Sequence, residues 1–426
     1  MLTVYAGLIV LLCFLGVPIA FAMIFSTAVY LAYVGNLDLI VIAHKIQESI
    51  DSFPLLAVPF FILAGELMSE FRITERLVEF SSSIVGPLRG SLGHVNVMTG
   101  MLMAGVSGSG TADASALGSV LIPAMKRDGY SPQFAAALTA ASGSIGPVIP
   151  PSILMVVYGS LLGVSVGRLF LGGAIPGIIM GLSLMIGVHV ISKRRSYGSV
   201  QSTSAGRILR ALLQGLPALS IPLIIVGGIV GGVFTPTESS IIAVAATLVA
   251  GLIYRSVSVR ATLDAMRNTV YLLGPVMLMV AAAGLFGWIL TAEQAGQAIG
   301  QYLLSVSSSQ TVILLLIVGL LLLLGSFMEV LSILIVLGPV LKPVILHVGI
   351  DPVYFGVLMV FSLSIGLITP PVGLCMYVTC SIAGVSMEGY FKELLPFLAG
   401  VIVVNFLLVI FPQFIMFLPN LLMPVR

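Results

Sequence analysis

Charged residues are scarce in this chain. Only 8% of its 426 residues are Asp, Glu, Lys or Arg, whereas 59% are hydrophobic and the mean hydropathy is +1.19. Soluble domains carry about 25% charged residues, so the composition predicts a polytopic helical membrane protein that has the lipid bilayer as its surroundings. The formal net charge of +2 and the lack of a basic patch with interleaved aromatic residues exclude a nucleic-acid partner.

Cysteine and histidine are few, and their positions do not indicate a disulfide or a metal site. A cleavable signal peptide is not expected either. The three cysteines, Cys13, Cys375 and Cys380, lie in apolar runs, which favours buried thiols over a disulfide or a metal site. The four histidines are scattered without ligand spacing. The apolar run at 2–34 has no charged segment before it and is too long for a signal peptide, so we expect a retained first span.

Two stretches broken by Gly and Pro stand 220 residues apart. Residues 144–152 read SIGPVIPPS and residues 364–372 read SIGLITPPV, and Pro123 and Pro343 share the same offset. Carbonyls freed by a helix break are tolerated at membrane depth only where they line a cavity enclosed by protein or filled with water. The chain is therefore predicted to be an internal duplication, and paired breaks of this kind mark ion and substrate sites in secondary transporters.

Hydropathy gives the remaining organisation. The predicted spans are 2–34, 54–70, 131–164, 167–192, 207–231, 237–254, 269–290, 352–386 and 391–419. Two of them are broken, at 146–151 and 366–371. Two further stretches, 91–126 and 310–346, have an interruption midway and predict re-entrant hairpins. The amphipathic stretches before them, 72–90 and 292–309, predict interfacial helices.

The distribution of basic residues fits that layout. With a cytoplasmic N-terminus and a periplasmic C-terminus, all but four of the 18 lysines and arginines lie on the cytoplasmic side, as the positive-inside bias requires. The four exceptions are Lys45, Arg168, Lys342 and Arg426. An odd number of crossings separates the two repeats, so we expect inverted topology, with hairpins that enter from opposite faces.

Four motifs carry a family resemblance. They are GVSGSGTADASALGSVLIPAM at 105–125, ASGSIGPVIPPSI at 141–153, FTPTESS at 234–240 and GIDPVYFGVLMVFSLSIGLITPPVG at 349–373. Together they resemble the large membrane subunit of tripartite ATP-independent periplasmic (TRAP) transporters, over essentially the whole chain. One departure is Glu329-Val330-Leu331-Ser332 at the second hairpin tip, where the family often has Asp followed by small residues.

The resemblance implies both a fold and partners. The fold would be an all-α, inverted-repeat, elevator-type (ion-transporter-like) one with two re-entrant helical hairpins and two broken transmembrane helices. The implied partners are Na⁺, a small four-helix membrane subunit and a periplasmic substrate-binding protein that delivers an organic acid. The location would be the bacterial inner membrane.

The same fold divides the chain into repeats of residues 1–206 and 207–426. Segments 1–90 and 207–309 are expected to form a scaffold with its arms. Segments 91–192 and 310–426 are expected to supply the hairpins, the broken helices and the last span.

Two sodium sites are predicted at the breaks, because a small hard cation needs several oxygen ligands, which unwound carbonyls and hydroxyls supply. The first joins the first hairpin tip to the first break and comprises Ser107, Ser109, Thr111, Ser142, Gly146 and Pro150. The second is its repeat partner, with Gly325, Ser326, Met328, Ser364, Gly366 and Thr369. The alternative is that these small residues only let helices approach closely.

The predicted anion site uses the N-termini of half-helices. The hairpin tip and the segment after Pro151 would present unpaired N–H groups to an organic acid, assisted by Ser107, Ser109 and Ser152. A carboxylate such as sialic acid or a C4-dicarboxylate, or a sulfonate, would suit such groups. The alternative for Ser152 is a helix cap.

Four acidic residues lie at membrane depth, and we expect structural or coupling roles for them. Asp113 and Glu329 lie near the two hairpin tips. Asp113 is close enough to the first tip to cap the second helix of that hairpin. Glu66 and Glu238 are expected to bond to neighbouring helices.

Three function classes follow. The favoured one is a Na⁺-coupled importer of an organic acid that uses a binding protein. The second is a stand-alone divalent-anion/Na⁺ symporter without one. An intramembrane enzyme is disfavoured, because the chain has no HExxH, no GxSxG on a span, no paired transmembrane Asp residues and no phosphate-binding loop that would indicate nucleotide use.

Overall fold

The computed structural model describes residues 2–34, 40–198, 203–294 and 309–424. Within these ranges the secondary structure is helical and no β-strand occurs. Eight of the described helices are long and apolar enough to cross a membrane. The predicted all-α polytopic class is confirmed.

The first half contains ten α-helices in the described ranges. They are α1 (Leu2–Phe14), α2 (Ile19–Val34), α3 (Ile40–Ile50), α4 (Ala57–Glu70), α5 (Ile73–Val85), α6 (Ser91–Ser107), α7 (Gly110–Arg127), α8 (Pro132–Gly143), α9 (Ile153–Leu162) and α10 (Val166–Arg195). A short 3₁₀ helix at Phe53–Leu56 leads into α4.

The second half repeats much of this order. Its described helices are α11 (Ala205–Val230), α12 (Pro236–Ile253), α13 (Val259–Ala292), α14 (Gln310–Phe327), α15 (Val330–His347), α16 (Pro352–Gly366), α17 (Leu374–Ala383), α18 (Met387–Ile410) and α19 (Gln413–Leu422).

Two predicted spans are each divided. The span at 2–34 ends its first helix near Gly16, which has a φ of +85°, and resumes after Pro18. The span at 391–419 begins earlier than predicted and divides just before α19, next to Pro412. The amphipathic helix α3 was not predicted at all, because its sequence is short and mixed in polarity.

Both predicted hairpins and both breaks are present. Helices α6 and α7 form the first hairpin, which turns at Gly108 with a φ of +61°, and α14 and α15 form the second. The first break separates α8 from α9, and the second separates α16 from α17. The interfacial helix predicted at 72–90 corresponds to α5, whereas the one at 292–309 lies mostly outside the described residues. The division of the chain at residue 206 stays a prediction.

Helices α2, α3, α4, α12 and α13 pack together in a group that we call the frame. Polar contacts join its members: Asn268 Nδ2 donates to Glu66 Oε2 at 3.1 Å, and Thr237 Oγ1 donates to the Phe53 carbonyl at 3.0 Å. The side chain of Ser49 packs directly against Gly284, and a Cβ at that glycine would collide with it. These contacts join α3, α4, α12 and α13 to one another.

The hairpins and the broken helices pack into a second group, which we call the block. Helix α7 contacts α8 of its own half and α17 of the other half, and α15 likewise contacts α16 and α9. A lysine side chain forms a hydrogen bond at each of these two contacts between the halves. Lys126 Nζ donates to the Ala383 carbonyl at 3.3 Å, and Lys342 Nζ donates to the Leu162 carbonyl at 2.6 Å. A cation at a helix C-terminus is favourable, so each hairpin fixes a half-helix of the opposite repeat.

Candidate functional site

A cavity of about 230 Å³ lies between the frame and both hairpin tips. We call it the central cavity. Helices α4 and α13 form its frame wall, which includes Gly65 and Glu66. Ser107, Ser109 and Thr111 of the first tip line its block wall, together with residues of the second tip. The cavity is therefore the place where both hairpins face the frame.

Four half-helices begin at the central cavity. Its lining includes the first residues of α7, α9, α15 and α17, which are Gly110, Ile153, Val330 and Leu374. The side chain of Ser109, the N-cap residue of α7, makes no capping hydrogen bond to the backbone N–H groups of that helix. Helix N-termini carry partial positive charge and unpaired N–H groups. Their convergence creates a site suited to an anion.

The first hairpin tip places a carboxylate against the first break. Asp113 is fully buried, and Ser107 Oγ donates to its Oδ1 at 2.6 Å. A Cβ built on Gly146 would lie 2.6 Å from Asp113 Oδ2 and 3.0 Å from Gly110 N, so only glycine fits there. Among the described residues, none donates a hydrogen bond to Oδ2. The expected cap is not seen, because the carboxylate points to Ser107 and the break rather than to the start of α7.

The first break also leaves backbone oxygens unpaired. No described residue donates a hydrogen bond to the carbonyls of residues 146–150, although these residues are mostly buried. A buried carbonyl without a donor is costly. Among the described residues no cluster of His, Cys, Asp and Glu could hold a metal. Carbonyls, hydroxyls and the single carboxylate of Asp113 are ligands that fit a sodium ion.

At the second tip the acid Glu329 caps α15 and also lines the small cavity beside the second break. A Cβ on Gly366 would collide with the carbonyl of Gly325, so the two backbones are in direct contact. A cavity of about 10 Å³ remains beside them, lined by Gly325, Met328 and Gly366. That volume holds about one water molecule, and hence one small ion.

The carbonyls of the second break are largely paired. Tyr390 Oη donates to the Ile368 carbonyl at 3.1 Å and Tyr377 Oη donates to the Pro371 carbonyl at 3.0 Å. The Cys375 N–H donates to the Leu367 carbonyl at 3.0 Å. The second break therefore leaves fewer carbonyl oxygens unpaired than the first.

Each tip is tied to its own break by a backbone hydrogen bond. Ile153 N donates to the Gly108 carbonyl at 3.5 Å, and Val372 N donates to the Ser326 carbonyl at 3.1 Å. The Pro150-Pro151 and Pro370-Pro371 peptide bonds that precede these donors are both cis.

Several predicted hydroxyls bond to their own helices. Ser142, Ser326, Ser364 and Thr369 each donate to a carbonyl three or four residues earlier. Their oxygens keep lone pairs that could accept or coordinate further. Ser109 and Thr111 contact each other at 3.3 Å.

Ser152 is used as a helix cap. Its Oγ accepts from Met155 N at 3.2 Å, its side chain is fully buried, and it is not among the residues that line the central cavity. The neighbouring Pro150 contributes one of the unpaired carbonyls instead.

The other three acids have distinct surroundings. Glu329 lines the central cavity and caps α15, where its Oε2 accepts from Ser332 N at 2.7 Å. Glu66 bonds to Asn268 of a neighbouring helix. Glu238 forms a capping box with Thr235 at the start of its own helix, so the interhelical bond expected for it is not present.

Three residues that contact the breaks or the tips from elsewhere in the sequence were not predicted. Tyr377 and Tyr390 have no counterpart at the repeat offset and look like ordinary apolar-span residues. Gly65 was missed as well, although a Cβ there would lie 3.3 Å from Ser107. The one sequence signal for this close contact with the first tip was that Gly65 is a glycine inside an otherwise helical pattern.

Comparison with known proteins gives a family match over nearly the whole chain. Residues 6–414 match the family described as Tripartite ATP-independent periplasmic transporter, DctM component. The chain is 41% identical over 411 residues to the sialic acid TRAP transporter large permease protein SiaM of Vibrio cholerae, covering 96% of each. It is 37% identical over 418 residues to the isethionate TRAP transporter permease protein DctMQ of Oleidesulfovibrio alaskensis, covering 98% of this chain and 66% of that protein.

The fold is also similar to a solved structure, that of MtrF from Neisseria gonorrhoeae. The TM-score is 0.61 at 16% sequence identity, over 87% of this chain and 83% of that one. At this identity the likeness concerns the fold alone. The predicted elevator-type, inverted-repeat fold is thereby confirmed.

Proposed function

The chain belongs to the family of the DctM component of tripartite ATP-independent periplasmic transporters, and from this membership we propose that it is a sodium-coupled large permease subunit that imports an organic acid anion. It is a membrane protein with several spans and a secondary transporter of organic anions. The finer points, which are sodium coupling, the elevator movement and the delivery of substrate by a binding protein, are our proposal.

The central cavity carries the proposal for the anion. Four half-helices begin at this cavity. Among the described residues that line it there is no lysine or arginine, and its two acids, Glu66 and Glu329, are hydrogen-bonded to Asn268 and to the start of α15. Helix N-termini can bind a carboxylate or a sulfonate without a full positive charge. Similar relatives are named for sialic acid and for isethionate, so family membership alone does not choose between a carboxylate and a sulfonate.

The first break carries the proposal for sodium. Its carbonyls, to which no described residue donates, and the Asp113 Oδ2, which has no partner among the described residues, would supply oxygen ligands to the ion. At a membrane potential of about 100 mV each inward Na⁺ releases about 2.3 kcal/mol. A tenfold gradient adds about 1.4 kcal/mol, so two ions would supply about 7 kcal/mol for accumulating a monoanion.

The proposed partners follow from the family. A small four-helix membrane subunit would brace the frame, and a periplasmic substrate-binding protein would deliver the acid. We propose a location in the bacterial inner membrane with a cytoplasmic N-terminus, because most of the lysines and arginines then lie on the cytoplasmic side.

The decisive experiment is uptake by proteoliposomes that contain the chain with both partner subunits. We expect uptake to require an inward Na⁺ gradient and to quicken with an inside-negative potential. Equal uptake driven by a proton gradient in Na⁺-free buffer would contradict sodium coupling. Robust uptake of free substrate by the chain alone would favour the stand-alone symporter.

The proposed elevator movement can be tested by crosslinking the block to the frame. A Cβ on Gly287 of α13 would lie 3.3 Å from Pro339 Cβ of α15, close to disulfide geometry. In a background without the native cysteines, oxidation of the pair Gly287→Cys and Pro339→Cys should reduce uptake at least about tenfold, an effect of about 1.4 kcal/mol on the transport cycle, and reduction should restore it.

The matched control crosslinks two parts of the block. Gly338 lies next to Pro339 and its Cβ would be 3.9 Å from Leu162 Cγ. The pair Leu162→Cys and Gly338→Cys should therefore be tolerated when oxidised. Loss of uptake with this pair, together with normal uptake for the frame-to-block pair, would show that the moving part has been assigned wrongly.

A further inference from the structure

A further cavity lies between the frame and the block, at the C-terminal ends of three helices. It has a volume of about 400 Å³ and shares no lining residue with the central cavity. Its walls come from the last turn of α9, from α13 of the frame and from α15 of the second hairpin. We call this space the outer cavity.

The frame wall of the outer cavity is a groove of small residues. Ala283, Gly284 and Gly287 of α13 line it, and it continues to Thr291, over about 12 Å of helix. A Cβ on Gly287 would lie 3.3 Å from Pro339 Cβ, so α15 closes the groove from the block side. A groove of this shape accepts an extended hydrocarbon chain.

Water is a poor occupant of the outer cavity. Among the described residues that line it, Thr291 and Lys342 have the polar side chains. The Thr291 hydroxyl donates to the Gly287 carbonyl of its own helix at 2.8 Å. A buried water needs about 2–4 polar partners, so these two side chains could hold few water molecules. The cavity therefore suits a ligand that is mainly apolar.

Lys342 adds a positive charge at one end of this apolar space. Its side chain is half-buried, and Nζ donates to the Leu162 carbonyl at 2.6 Å. An ammonium group can donate further hydrogen bonds. No aspartate or glutamate lines the cavity, and Lys342 forms no ion pair in the part of the chain that the structure describes. The site is therefore complementary to an anionic group that carries a hydrocarbon tail.

The opening of the outer cavity lies near the membrane surface. Thr291 and Pro343 are exposed, and Leu346 is 52% exposed. These residues belong to the last turns of α13 and α15. Lys342 lies about 8 Å before the end of α15, from where a lysine side chain can reach the lipid headgroups. The groove leads from that level toward the bilayer core.

We propose that the outer cavity binds an anionic phospholipid, with the phosphate on Lys342 and one acyl chain in the groove of α13. Basic pockets between transmembrane helices select anionic lipid headgroups. The lipid would contact α13 of the frame together with α9 and α15 of the block, so it would stabilise the arrangement of the two parts seen here. This inference goes beyond the proposed transport function and needs only the membrane location.

Trp288 allows a direct binding measurement. It is the one tryptophan of the chain, follows Gly287 on α13 and is half-buried. Phosphatidylglycerol with brominated acyl chains should quench its fluorescence in the purified full chain in detergent. We expect half-maximal quenching at about fivefold lower lipid concentration than with phosphatidylcholine of the same chains, because a lysine near the membrane surface favours an anionic lipid by about that factor.

Two kinds of variant test the two parts of the site. Lys342→Gln should bring the half-maximal concentrations of the two lipids to within about twofold of each other, whereas Lys342→Arg should keep the preference. Thr291→Phe fills the opening and keeps the charge, so it should raise the half-maximal concentration of phosphatidylglycerol. Thr291→Phe also serves if Lys342→Gln does not fold.

The matched control is Lys126→Gln. Lys126 makes the corresponding hydrogen bond at the other hairpin, to the Ala383 carbonyl at 3.3 Å, and does not line the outer cavity. This variant removes a similar structural contact and should keep the preference for phosphatidylglycerol. Loss of the preference in Lys126→Gln would overturn the proposal, because it would show a general effect of weakened packing.

The remaining outcomes also decide the proposal. Equal quenching of the unsubstituted chain by the two lipids would overturn it, as would an unchanged preference in Lys342→Gln. Displacement of the lipid by inorganic phosphate would show that the anion alone is recognised. Loss of the preference on adding the small membrane subunit would show that protein covers the cavity, and either result would overturn the lipid site. Uptake is not measured, so a failure of sodium-driven uptake would contradict the proposed function and leave this inference intact.

Discussion

The two breaks have nearly the same sequence but different chemical surroundings. In the first, the carbonyls of residues 146–150 have no hydrogen-bond donor among the described residues, and a buried carboxylate lies beside Gly146. In the second, hydroxyls of Tyr377 and Tyr390 occupy two carbonyls, and Glu329 of the adjacent tip serves as a helix cap. The first break thus leaves oxygens that the proposed sodium ion would satisfy, whereas the carbonyls of the second are largely satisfied by protein.

This difference shows that a duplicated motif does not imply two equivalent sites. Gly and Pro fix where each helix breaks, but donors from other helices decide how many carbonyls remain available. We therefore expect the first break to dominate sodium dependence, and the second to contribute more through close backbone packing.

The largest effect should come from Asp113. Among the described residues, Asp113 supplies the one carboxylate in contact with the first break. Replacing it with Asn should therefore lower sodium-driven uptake at least about tenfold, a loss of about 1.4 kcal/mol. The comparison variant is Glu329→Gln at the second tip, which should keep most of the uptake. Sodium-gradient uptake, normalised to the amount of protein in the membrane, measures both. Equal losses in the two variants would remove the distinction between the breaks.

Backbone packing at the second break should give the next largest effect. Gly366→Ala places a Cβ against the Gly325 carbonyl, which cannot move aside as a side chain can. Overpacking of this kind costs about 1–3 kcal/mol. Gly319→Ala is the control, because a Cβ there meets nothing within 4 Å. The midpoint of thermal unfolding in detergent should fall for Gly366→Ala and not for Gly319→Ala. An unchanged midpoint for Gly366→Ala would show that the two backbones are not in contact.

A smaller effect is expected from the two tyrosines, whose replacement by Phe should lower the stability of the protein to different extents. Tyr390 is fully buried and Tyr377 is 45% exposed. Tyr390→Phe leaves the Ile368 carbonyl unsatisfied at a cost of about 1–3 kcal/mol, whereas water can replace the hydroxyl removed by Tyr377→Phe. Thermal unfolding of the two variants under identical conditions measures the difference. A larger loss for Tyr377→Phe would contradict the pairing of the second break described above.

The smallest effect is expected at Ser152. Its hydroxyl caps α9 and does not reach the central cavity, so Ser152→Ala should cost about 1 kcal/mol of stability. Substrate affinity should stay unchanged, as measured by the concentration dependence of uptake. A strong loss of affinity with unchanged stability would instead support the direct role in anion binding that the sequence allowed.

The sequence by itself determined most of the helices, both hairpins and both breaks, although it did not predict α3 or the divisions of the first and last spans. Long apolar runs fix spans, because a bilayer leaves the backbone no other partners. Gly108 and the Pro-Pro pairs fix the turns and breaks, because each removes a helical hydrogen bond or favours a conformation outside the helix. Those are local effects that a reader can recognise from neighbouring residues.

Only the tertiary structure decided which groups meet. Asp113 was expected to cap its helix, but burial beside Gly146 and a hydrogen bond from Ser107 turned its carboxylate to the first break. Tyr390 pairs a carbonyl 22 residues earlier in the chain, and Glu66 meets Asn268 across two frame helices. Such contacts depend on how helices distant in sequence pack together, and the hydrophobic pattern along one chain does not specify that packing.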